Sequence, residues 1–306
     1  MKAKVKISFG TAVVMLLGSI VLPAPALQDQ ENVRGAFLTT RPKEKPPQSS
    51  PAAKPVRRRP KTVSTSSEGA KKPDSLQPNP SSSSSPGRPG KEAKVVAQRL
   101  GLGLTLFARD TNGLAVRVDP SHEFRNGDNV RILLETNADG YLYIFNTTNG
   151  GEPGMIYPGA EIDDAGNYIQ SHVPFEIPSS TAEQERLRWF RFDEAAGNER
   201  LYFVFTREPL PNVPIEDDLI AYCRERKSPC AWKPDTDTWA QIHQALNAPL
   251  KTNKSQTYGK KQTASEHVAS SRGIGLSQKD PEPSLIMMAV STGSRTLVTS
   301  LDLIHK

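Results

Sequence analysis

Five aromatic residues, one basic cluster and one cysteine pair are the side chains of this 306-residue chain whose types and spacing suggest chemistry. Tyr141, Tyr143, Tyr157, Trp189 and Tyr202 sit on candidate strands whose opposite face carries Leu142, Ile144 or Phe203. That pattern makes an exposed aromatic face that stacks on sugar rings or accepts a peptide as an added strand. The competing reading buries both faces, since aromatic residues are ordinary sandwich core. Arg57, Arg58 and Arg59, with Lys54 and Lys61, form the densest positive cluster. It suits anionic envelope polymers or lipid headgroups, and it lacks the interleaved aromatics that nucleic-acid stacking needs. A solvated linker held extended by self-repulsion is the simpler and preferred reading. Cys223 and Cys230 are the only cysteines. They pair in an oxidising compartment or stay as two thiols, because spacing alone does not fix the distance between their backbones.

Enzymatic signatures are absent. No Gly-x-Ser-x-Gly elbow, Ser-x-x-Lys pair, His-Glu-x-x-His helix or Gly-x-x-x-x-Gly-Lys loop occurs, so no catalytic residue, metal or cofactor is expected. A hydrolase with an unrecognised Asp/Glu pair is the remaining enzymatic alternative. Gly101-Leu-Gly103 leads into a strand, not a helix, which removes a dinucleotide site. The histidines at 122, 172, 243, 267 and 305 never recur at ligand spacing, and His172 and His243 are expected as partly exposed polar positions. Asp163 and Asp164 beside Asn167 offer oxygen ligands for Ca²⁺, yet turn chemistry explains them as well, just as helix capping explains Asp235-Thr-Asp237.

Charge divides the chain. The whole carries 39 Lys+Arg against 33 Asp+Glu, but residues 41–94 hold 13 basic and 4 acidic residues while 95–306 hold 22 and 27. A basic segment precedes an acidic domain. Residues 1–26 have the three parts of a secretory signal: Lys2, Lys4 and Lys6, an apolar run from Ile7 to Leu22, and Ala24-Pro-Ala26. Cleavage after Ala26 is expected, with an uncleaved anchor as the alternative, and no transmembrane segment follows. Residues 27–94 read as a disordered basic Pro/Ser-rich linker, because 41–94 contain 11 Pro, 11 Ser and no aromatic residue. As a coil, 41–94 would span on the order of 40 Å, and as polyproline II about 170 Å, so the linker is expected to work as a spacer. Within it Val33–Arg41 is an apolar island that docks as an added strand on the domain or a partner, or is an inert remnant.

The folded domain is expected over 95–306 as a mainly β, Ig-like antiparallel sandwich with two short helices towards its C-terminal half, preceded by the disordered tail. Val130, Ile132 and Leu134 alternate with Arg131 and Glu135, and Asn137-Ala-Asp-Gly140 then leads into Tyr141–Phe145, which together read as a hairpin with Gly140 supplying positive φ. Further strands are expected at 102–108, 114–118, 155–157, 168–172, 175–177, 188–192 and 201–206. Helices are expected over about 215–247, forming a lid on a sheet edge or end. A mobile loop is expected at 248–283, and a closing hairpin at 284–305.

Phe124-Arg-Asn-Gly-Asp-Asn-Val-Arg-Ile132, Asn137-Ala-Asp-Gly-Tyr-Leu-Tyr-Ile-Phe-Asn146, Met155-Ile-Tyr-Pro158, Phe175-Glu-Ile-Pro178 and Gly197 through Pro209 resemble the bacterial domain of unknown function 4384, over about 120–210. Arg34-Gly-Ala-Phe-Leu-Thr-Thr-Arg-Pro42 and the strand ending Leu303-Ile-His305 resemble its exported members. The resemblance implies a β-rich accessory domain without established catalytic residues. Thr206 stands where the family more often has Ser, and the usual Gly near Ser171 is missing. The reading that results is a non-enzymatic exported envelope module for binding or assembly, in the periplasm or at the cell surface. Its expected partner is an envelope protein or an anionic or carbohydrate polymer. The alternative is an electrostatic anchor through the basic tail with the domain as cargo.

Overall fold

The computed structural model describes residues 25–44, 98–160, 166–226 and 230–306. Most of the signal-like segment, Lys54, Arg57, Arg58, Arg59 and Lys61, and the Asp163-Asp164 pair lie outside the described residues. Two sheets form a sandwich, so the mainly β class read from the alternation is the observed one. The first sheet contains β1 (Gly101–Arg109), β2 (Ala115–Val118), β4 (Asn129–Thr136), β8 (Phe175–Ile177), β9 (Phe190–Arg191), β11 (Leu250–Lys254) and β12 (Leu285–Ala289). The second contains β3 (Glu123–Phe124), β5 (Gly140–Thr148), β6 (Gly154–Tyr157), β7 (Tyr168–Ile169), β10 (Gly197–Thr206) and β13 (Thr296–His305). Pairing is antiparallel except for β3, which runs parallel to β13. Leu102, Leu104, Leu106, Val130, Ile132 and Leu134 from one sheet meet Leu142, Ile144, Leu201 and Phe203 from the other. This shared layer is the main hydrophobic core.

Two expected hairpins prove to be crossings between sheets. β4 and β5 are in different sheets, and Asn137 fixes the passage: its Oδ1 accepts from Gly101 N at 2.7 Å and its Nδ2 donates to Arg99 O at 2.9 Å. Gly140 is needed here for closeness rather than for positive φ, since a Cβ would run into the Thr206 carbonyl and the Phe205 ring. β12 and β13 likewise separate, β12 pairing with β1 and β11 and β13 pairing with β10 along ten residues. β12 is apolar on both faces, with Met287 in the main core and Ile286 and Met288 outside it. A strand of that kind needs cover on two sides and cannot close a half-exposed hairpin.

Four helices are described, two more than expected. α2 (Glu216–Arg224) and α3 (Thr236–Leu246) lie on the face of the second sheet, not on its edge: Leu219, Trp232 and Ile242 bury against Tyr143, Phe145, Val204 and Val298. Asp235 caps α3 by accepting from Thr238 N at 2.7 Å. The expected mobile loop holds β11 and α4 (Ala264–Arg272). α4 opens with a capping box between Thr263 and Glu266 and closes at Gly273 with φ 64°. The fourth helix, α1 (Pro25–Leu38), occupies part of the stretch read as linker. It packs Val33 and Phe37 on Ile286 and Met288, so the linker expectation fails for residues 27–44. The Val33–Arg41 island docks on the domain as helix and turn instead of as a strand.

Candidate functional site

At one end the two sheets part and leave a cavity of about 200 Å³ between them. β4, β9 and the residues after β9 supply Val130, Phe190, Arg191, Phe192 and Asp193. β5, β6, β10 and β13 supply Asn146, Ile156, Glu199, Leu201, Leu303 and His305. The walls are apolar and the rim is charged, the usual chemistry of a small-ligand seat. Gly127, at φ 89°, makes the turn that starts β4, and its amide donates to Phe192 O at 2.9 Å, which places the Phe192 ring against His305. Their centroids are 5.1 Å apart. His305 is only 6% exposed, and no hydrogen bond engages its ring among the described residues. Across the mouth, Glu199 Oε2 accepts from Asn146 Nδ2 at 2.8 Å and from Thr148 Oγ1 at 2.9 Å. Asn146 Oδ1 is buried without a partner. Asp193 Oδ1 accepts from Ala195 N at 2.9 Å.

None of these mouth residues was among the expected site residues. The aromatic set goes elsewhere. Tyr141, Tyr143 and Tyr202 are buried beneath α2 and α3, Tyr157 lies in the main core, and Trp189 stacks under the Arg131 guanidinium at 3.9 Å. The exposed aromatic face does not exist, because the helices fill the space a sugar or peptide would need. Tyr143 instead spends its hydroxyl on accepting from Leu210 N at 3.0 Å, and burial raises its pKa above the ordinary phenol value. Cys223 and Cys230 are joined as a disulfide with Cα atoms 5.7 Å apart, tying α2 to the chain that enters α3.

A second cluster lies on the outer face of the first sheet. Arg41, just after α1, uses all five guanidinium donors: two reach Glu135 at 2.8 and 2.6 Å, and three reach the carbonyls of Ser277, Asp280 and Pro281 at 3.1–3.2 Å. His172, expected as partly exposed, is 3% exposed. Its Nδ1 lies 2.7 Å from Glu135 Oε1 and its Nε2 2.7 Å from Thr40 Oγ1. It holds a left-handed backbone at φ 58°, beside Ser171 where the family likeness lacks its Gly, and bonds to Thr136 O and Leu276 N hold it there. Burial pushes the Glu135 carboxyl up, but hydrogen bonds and charge from His172 and Arg41 outweigh it, so its pKa falls below the usual carboxylate range. Thr40, His172 and Glu135 follow the order of a nucleophile, base and acid. Here, however, the Thr40 hydroxyl donates to Phe37 O at 2.6 Å and Arg41 engages both Glu135 oxygens, which is the chemistry of a buckle.

Among the described residues no three His, Cys, Asp or Glu side chains are grouped to hold a metal, and no helix is long and apolar enough to cross a membrane. No curated protein and no solved structure matches the chain. Nine of the eleven mouth residues, all but Leu303 and His305, fall within residues 123–209. That stretch matches the family described as Domain of unknown function (DUF4384).

Proposed function

We propose that the chain is a non-enzymatic, exported binding or assembly module of the cell envelope, and that the mouth between the sheets is its ligand seat. The observation that carries the reading is the cavity itself, with apolar walls, a charged rim and an unengaged His305, held on a rigid sandwich. Both rim carboxylates, Asp193 and Glu199, accept hydrogen bonds. Those acceptor roles support carboxylates that hold the mouth and a bound cation over an acid–base pair acting on a substrate. Export is supported by the signal-like N-terminus and by the Cys223–Cys230 bond, which an oxidising compartment maintains. The test is capture by the immobilised full chain from envelope extract, compared with the mouth-filling variant Ile156→Trp. A compound released from the wild type and not from the variant, identified by mass spectrometry, supports the seat. An identical set from both overturns it.

One observation favours a second reading, the electrostatic anchor. The residues that flank the basic segment 45–97, namely 25–44 before it and Gln98 after it, are both held on the domain. Binding to anionic vesicles that weakens steeply with salt, and is lost when Arg57, Arg58 and Arg59 become Ala, would support this reading.

A further inference from the structure

The groups at the mouth select an occupant, on the reading that the mouth is the seat. A cavity of about 200 Å³ is somewhat larger than the roughly 150 Å³ apolar cavity that admits benzene. One ring with a short substituent fits, whereas a sugar chain or an acyl tail does not. The walls suit a ring, with Phe190 and Phe192 on one side and Leu201 and Leu303 on the other. One polar group lines it from within, the His305 ring, which no hydrogen bond engages among the described residues. At the rim Asp193 and Glu199 bring two negative charges against one positive charge from Arg191.

We propose that the mouth binds small phenolic amines. The ring occupies the apolar walls, the hydroxyl hydrogen-bonds to His305, and the protonated amine lies against Asp193 and Glu199. A hydroxyl both donates and accepts, so it serves His305 in either tautomer. A carboxylate-bearing analogue meets repulsion at the same rim.

The experiment titrates the isotope-labelled full chain with tyramine, p-cresol and 4-hydroxyphenylacetate, following the backbone amides of Phe190–Asp193 and His305 by NMR. Tyramine is expected to shift these amides and to bind tightest, with 4-hydroxyphenylacetate weakest. Asp193→Asn, an exposed change that keeps its turn acceptor, should weaken tyramine about two- to five-fold, the scale of an exposed ion pair, and leave p-cresol unchanged. Glu199→Gln, which retains an acceptor for Asn146 and Thr148, should act in the same direction. Equal binding of all three probes at these amides overturns the amine preference and leaves the seat standing. No shift with any probe at millimolar concentration overturns the phenolic-amine proposal, and the Ile156→Trp capture then decides separately whether the mouth holds anything else.

Discussion

The two outer faces of this sandwich are covered by helices, yet by different chemistry. On the second sheet the cover is apolar: Trp239 lies edge-on to Tyr202 with centroids 4.9 Å apart, and Ile242, Leu219 and Trp232 complete a small second core. On the first sheet a small apolar contact, Val33 and Phe37 on Ile286 and Met288, is joined by buried ion pairs. Arg41 pairs with Glu135, Arg117 with Glu266, and Arg131 with Glu176, every one of these side chains at most 6% exposed. An apolar cover adds free energy roughly in proportion to area and tolerates exchange of one hydrophobe for another. An ionic cover adds little net stability but makes each partner costly to remove, because what remains is a buried uncompensated charge. The same layered architecture therefore holds one lid by quantity and the other by specificity.

The comparison can be broken most severely at Arg41. Arg41→Ala should cost about 3–5 kcal/mol, read from urea denaturation, since it strands Glu135 beside His172. A loss below about 1 kcal/mol would show that the buckle carries no weight. Its pH dependence has a defined sign. The Glu135 pKa is depressed in the folded state, so its contribution is present above the unfolded carboxyl value and is lost as pH falls through the folded one. Removing Arg41 should move that acid loss to higher pH, as urea midpoints across the acid range would record. Ile242→Ala on the apolar face should cost about 2–4 kcal/mol by opening a cavity, and its cost should not change with salt. Arg200→Ala is the mildest. It breaks a half-exposed pair with Asp302 at 2.6 Å, worth under about 1 kcal/mol and weakened by added salt.

The sequence made the strands and the α2/α3 pair legible because period-two alternation and acid-rich helix starts are local signals. What it concealed was partnership. Arg131 and Glu135 alternate with apolar residues as a solvated face would, and segments distant in sequence turn that face into an interior: Arg188 and Trp189 over Arg131, and Arg41 and His172 over Glu135. A local signal for α4 did exist, in Thr263-Ala-Ser-Glu266 followed by Gly273, but its few large apolar residues argued for a loop. The α1 docking leaves a trace too, since Gly101 has no side chain where Phe37 must fit: a Cβ there would sit 2.8 Å from the Phe37 ring. The two hairpins misled because a strand–turn–strand pattern is identical whether the chain returns to its own sheet or crosses to the other. The mouth was invisible because its residues come from six strands and share no motif.

The buckle also changes what the 53 residues between Glu44 and Gln98 amount to in handling. They join two points already held to the domain, so a single protease cut within them should not set the N-terminal piece free. The nicked protein would behave as a two-part complex, separable only under denaturing conditions. Residues before the cut, supplied as a detached peptide, should restore a domain that lacks them.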